Sequence, residues 1–117
     1  MTVQHADHDG PLIPKPAQTL PALRQAVAAV APSRLPEFFE DMQNAFVQAG
    51  EEGSVVPIRM FYRRWAVVVE IERHPQTARR LHDAERALDS EHAAVRDQAV
   101  REAGEIVRAA HREVESG

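Results

Sequence analysis

From Ser54 to Pro75 the chain reads SVVPIRMFYRRWAVVVEIERHP, its densest run of large apolar side chains. Val55, Ile58, Phe61, Trp65, Val68 and Glu72 fall on one face of a helix, with Tyr62 and Val69 beside it. The valines at 67, 68 and 69 favour a strand, but no second β-rich segment exists to pair with one. Packing overrides such weak preferences, so the pattern predicts a central helix over about 55–73. Ser54 is placed to cap it, and Pro57 sits in the first turn, where a missing N–H costs little.

The same reading along the chain predicts four more helices. Thr19 caps a short helix that runs through Ala31, with Leu23, Val27 and Val30 inward and Pro32 ending it. Ser33 is placed as the cap of a second helix whose stripe is Leu35, Phe38, Met42, Ala45 and Ala49. Phe39 and Phe46 widen that stripe, and Gly50 ends the helix. His74-Pro75 starts a fourth helix through about Leu88, with Ala78, Leu81, Ala84 and Leu88 inward. Asp89 or Ser90 caps a fifth over about 91–114. Its Val100, Ala103, Val107, Ala110 and Val114 repeat in a 3-4-3-4 seam that offers a surface for a homodimer through this C-terminal helix. Gly104 within it predicts a close helix crossing. Residues 1–18, with Pro11, Pro14 and Pro16, read as a flexible lead-in whose Leu12 and Ile13 dock on the body. The fold class expected is all-α: a small bundle of about five helices forming one domain over 19–115.

Composition narrows the function classes. The chain has no cysteine, which removes disulfide and thiolate chemistry. No apolar stretch approaches the ~20 residues needed to span a bilayer. The first residues lack the basic-then-apolar order of a signal peptide, so a cytoplasmic location without membrane contact is expected. A net charge of −4 argues against a generic nucleic-acid binder. Lys15 stands alone beside 13 arginines, and seven of these lie between Arg59 and Arg86. The second helix and its exit carry acids instead: Glu37, Glu40, Asp41, Glu51 and Glu52.

Catalytic raw material is thin. Ser33, Ser54 and Ser90 stand at expected caps and Ser116 near the end of the sequence. There is no nucleophile elbow, phosphate loop or dinucleotide fingerprint. His5 and His8, with Asp7 and Asp9, have chelating spacing but lie in the lead-in. His82 and Glu85 run in the opposite order to the paired Glu-x-x-His of helical metal sites. No catalytic residue, cofactor or metal is therefore expected. The candidate site is the arginine set Arg59, Arg63, Arg64, Arg73, Arg79 and Arg80, with Tyr62 and Trp65 interleaved, a composition found at interface hot spots. The competing reading pairs these arginines internally, Arg79 with Asp83 and the third helix with the acids of the second.

The strings PLIPKP (11–16), APSRLPEF (31–38), PIRMFYRRW (57–65) and IERHPQTARRLH (71–82) resemble a family of small actinobacterial helical proteins of unknown function. Some relatives are encoded near toxin–antitoxin or regulatory genes. The resemblance covers residues 11 to about 82 and carries no catalytic residue. It favours a protein-binding role. The charge segregation and the absence of catalytic groups make the expectation a non-enzymatic, regulatory or antitoxin-like protein that binds an acidic partner protein through the arginines. The alternative is a nucleic-acid-associated factor using the same side chains.

Overall fold

The computed structural model describes residues 10–116, in which there are five α-helices and no strand. They are α1 (Leu20–Val30), α2 (Leu35–Glu52), α3 (Val56–Glu72), α4 (Pro75–Ala87) and α5 (Ala93–Ser116), with a 3-10 turn over Pro32–Arg34. None is long and apolar enough to cross a membrane. The chelating residues of the lead-in, His5 to Asp9, lie outside the described residues. The described chain groups into two compact units, 13–69 and 70–116, the second also taking in 10–12; the division falls within α3.

In the first unit, the Thr19 hydroxyl accepts from the Ala22 amide at 3.3 Å and starts α1, with Pro21 in its first turn. Leu23 and Val27 are fully buried and Ala26 nearly so. Ser33 does not cap α2 as its type suggests. It sits inside the 3-10 turn, which feeds straight into α2, and the N-cap position falls to Arg34, whose side chain gives no cap bond. Gly50 does not end α2 either. The helix continues to Glu52, and Gly53 takes the left-handed conformation at φ 65°. The Ser54 amide then also donates to the Ala49 carbonyl at 3.1 Å, which already accepts from the Gly53 amide. The two glycines therefore have opposite roles. Gly53→Ala is expected to destabilise by about 1 kcal/mol, through the left-handed penalty on a Cβ. Gly50→Ala, with nothing within 4 Å of an added Cβ, is expected to stabilise by about 0.5–1 kcal/mol. Urea unfolding of the two variants checks both signs.

α3 starts at Val56, whose amide is capped by the Ser54 hydroxyl at 3.1 Å, and the valine run is helical as expected. Its buried residues include Phe61, Trp65, Ala66, Val67, Val69 and Ile71. Val55 is exposed and Val68 only half-buried, so the true inner face is rotated towards Val69. Phe38 of α2 is the hub of this core. Its ring meets Phe61 and Trp65, each at 5.2 Å between centroids, the latter edge-on at 79°.

In the second unit α4 packs against α5. Ala78, Leu81 and Ala84 are buried as expected, while Leu88, just beyond the helix end, is exposed. The buried row of α5 is Ala99, Ile106, Ala110 and Val114, and Val100 is exposed. A strict 3-4 seam drifts about 20° per heptad on a straight helix, so the residues flanking the expected seam become the core at its N-terminal end. Gly104 marks no helix crossing: the space a Cβ would fill is taken by the guanidinium of Arg108 on the same helix. Before α4, the Leu12 amide donates to the Arg73 carbonyl at 2.7 Å, although the Leu12 side chain stays exposed.

Candidate functional site

The arginines of the candidate set do three different things. In the first unit, Arg64 spans two acids of α2, reaching Asp41 at 2.5 Å and Glu37 at 2.9 Å. Arg34 holds the same Glu37 at 3.0 and 3.3 Å. Both guanidinium carbons lie over the Trp65 ring, at 5.1 Å for Arg34 and 5.7 Å for Arg64. The indole N–H donates to Asp41 at 3.1 Å. Two bases, two acids and one indole thus close a neutral network. This is the internal pairing of the third and second helices that the charge pattern allowed.

Glu37 is held below the usual carboxylate range, chiefly by the Arg34 hydrogen bond and then by the charges of Arg34 and Arg64, with burial acting in the opposite sense. A lowered folded-state pKa gives stability that is complete above the unfolded value and lost as pH falls through the folded one. Wild type is therefore expected to lose stability below about pH 4 more steeply than Glu37→Gln. The difference stays under about 1 kcal/mol, because the pair is solvated. Acid titration of the urea midpoint checks it.

In the second unit, Arg73 is buried against Glu70, also buried, at 3.0 Å; the other Glu70 oxygen meets His74 Nε2 at 3.2 Å. His74 occupies the N-cap position of α4 but makes no cap bond with its side chain. Arg80 of α4 reaches Glu102 of α5 at 2.7 Å. That bond raises the Arg80 pKa further above its ordinary value, so it stays charged at any working pH. The expected pair of Arg79 with Asp83 does not form; Asp83 bonds Arg86 instead. His82 likewise pairs with Glu72, at 2.9 Å, rather than with Glu85. Among the described residues no group of three metal-ligating side chains assembles.

A cleft of about 580 Å³ opens in this unit, with Glu70, His74, Thr77, Arg80, Glu105 and Arg112 among its polar lining and Ile71 and Ile106 in its floor. It gathers residues from α3, α4 and α5 that sequence spacing alone does not connect. Both Glu70 oxygens face cationic or imidazole partners, which fixes the carboxylate in place.

Arg59, Arg63 and Arg79 are exposed, as are the paired Arg64 and Arg80; only Arg73 is buried. Neither Arg59 nor Arg79 has a hydrogen-bond or ion-pair partner among the described residues. On α3, Val56, Arg59 and Arg63 follow at i, i+3 and i+7, and Met60 lies four residues after Val56. The four therefore share one side of the helix. Val56 is 51% exposed and Met60 65%. Two turns further along, the same side carries Val67 and Glu70, which are buried. The sequence marked the arginines of this side but not its apolar members, because Val56 and Met60 do not stand out in so apolar a helix. No protein-family model matches the chain, and neither a curated protein nor a solved structure shows detectable similarity to it.

Proposed function

We propose that the protein is a non-enzymatic interaction protein, regulatory or antitoxin-like, that docks an acidic, partly apolar protein surface on the first turns of α3. The observation that carries this reading is the side formed by Val56, Arg59, Met60 and Arg63: apolar and basic, and exposed where the rest of the same side is buried. Burying Val56 and Met60 supplies apolar free energy at about 25 cal/mol per Å². The guanidiniums select acidic partners and speed encounter. Arg64, Arg73 and Arg80 lie outside the docking set by position: Arg64 points off this side of α3 and bonds Glu37 and Asp41, Arg73 is buried against Glu70, and Arg80 is on α4 bonded to Glu102. Arg79 belongs to another unit and is a separate, exposed charge.

The test is fluorescence anisotropy with an acidic amphipathic helical peptide built from rows of Leu and Glu. The wild type binds it, binding weakens with salt, and Arg59→Glu with Arg63→Glu abolishes it. A peptide that binds both proteins equally, or neither, overturns the reading. Tighter, salt-dependent binding of a DNA or RNA duplex replaces it with the nucleic-acid alternative.

A further inference from the structure

A second apolar surface in the same unit complements the first in charge. Phe39 and Phe46 were expected to widen the buried stripe of α2, yet they are 42% and 45% exposed, and Val47 is 54% exposed. Phe39 and Phe46 are one heptad apart, with Gln43 and Gly50 in the same row. Glu40, Val47 and Glu51 follow at i, i+7 and i+11 and form the adjoining row. The acids of α2 thereby divide. Glu37 and Asp41 are held by Arg34 and Arg64, whereas Glu40 and Glu51 are exposed and have no ion-pair partner among the described residues. Gly50 adds a third feature. It lies inside the helix without positive φ, and space is open beside it, so the fold itself gives no reason for a residue that weakens a helix. A close approach by another backbone along the Phe39–Phe46 row gives one.

From these observations we infer that the occupant of the arginine face is a second copy of this chain: Val56, Arg59, Met60 and Arg63 of one copy seat on Phe39, Glu40, Phe46, Val47 and Glu51 of the other. The inference rests on the docking reading and names its partner. Apolar rows meet apolar rows, and Arg59 and Arg63 meet Glu40 and Glu51. A twofold axis makes this contact twice, because each copy carries both halves. The acidic row explains why the pairing is α3 on α2 rather than α2 on α2, which would set Glu40 and Glu51 against their own kind. The basic row, about 10 Å from Val56 to Arg63, is shorter than the about 18 Å from Phe39 to Glu51 and fits within it along the helix axis. The buried row of α5 is already used within its own unit, leaving Val95 and Val100 as that helix's exposed large apolar groups.

Charge reversal tests the pairing without depending on a fold-neutral deletion. One variant carries Arg59→Glu and Arg63→Glu, the other Glu40→Arg and Glu51→Arg, and circular dichroism verifies that both are folded. In sedimentation equilibrium the wild type self-associates and dissociates as salt rises. Each variant alone associates at least about tenfold more weakly, since like charges now face each other. An equimolar mixture of the two restores the dimer, because each contact again joins opposite charges. Gly50→Ala stabilises the folded chain yet weakens the dimer. A wild type that stays monomeric, a reversal variant that dimerises alone as well as wild type, or a mixture that remains monomeric overturns the inference. If the wild type is monomeric but still binds the acidic peptide through Arg59 and Arg63, self-pairing falls and the docking reading stands. If it dimerises through other residues and ignores the peptide, both fall.

Discussion

Replacing Trp65 with alanine is expected to cost about 3–5 kcal/mol, the upper range for a large aromatic in a core. Trp65 is fully buried, and three separate interactions depend on it. Its ring is the edge-on neighbour of Phe38, its N–H donates to Asp41, and its face carries the guanidiniums of Arg34 and Arg64. Truncation opens a cavity and also leaves Asp41 with one partner fewer. Trp65→Phe keeps most of the volume but not the donor, so it should cost less, about 1–3 kcal/mol. The protein has no other tryptophan, so far-ultraviolet circular dichroism rather than fluorescence must follow urea unfolding of these variants. A loss below about 1 kcal/mol for the alanine variant would mean that the indole is not the centre of this core.

Arg73→Ala is expected to be as damaging, at about 3–5 kcal/mol, for an electrostatic reason. Glu70 and Arg73 are both buried and bonded at 3.0 Å. Removing the guanidinium leaves a carboxylate out of water with only the imidazole of His74 beside it. The cost of an uncompensated charge exceeds the worth of the pair itself. Substituting both partners with apolar residues of similar size, Glu70→Leu with Arg73→Met, should therefore recover most of the loss. Thermal unfolding of the single and double variants separates the two contributions. The same burial explains why Arg73, counted among the candidate docking residues by sequence, serves the fold instead.

How far the sequence carried depends on which physical signal was being read. The helices were legible because apolar spacing repeats over several turns and prolines mark their starts: Pro21, Pro36, Pro57 and Pro75 all lie in first turns. The helical state of Val67 to Val69 followed from the lack of any strand partner. The pairing of Arg64 with α2 followed from charge. Single positions were harder. Periodicity places Phe39 beside Phe38, and Val68 beside Val69, but rows 100° apart differ in burial only through the helix packed against them. Gly50 and Gly53 carry the same turn signal, and only the backbone bonds beyond the helix decide which residue ends it. Ser33 lost its expected cap because a 3-10 turn, which short sequence patterns do not announce, absorbed it. In the candidate set, spacing identified the bases, but the burial of Arg73 and the cross-helix ion pairs of Arg64 and Arg80 mark the ones that hold the fold.

The central claim is that Arg59 and Met60, on the outward side of α3's first turns, contribute nothing to folding and are available for docking. Urea unfolding of Arg59→Glu combined with Met60→Gln tests it most directly. Both residues are exposed, and an acid in the first turn of a helix favours the dipole. The stability should therefore stay within about 0.5 kcal/mol of wild type. A loss of more than about 2 kcal/mol, the scale set by the buried Arg73, would place these side chains in the fold and contradict the claim.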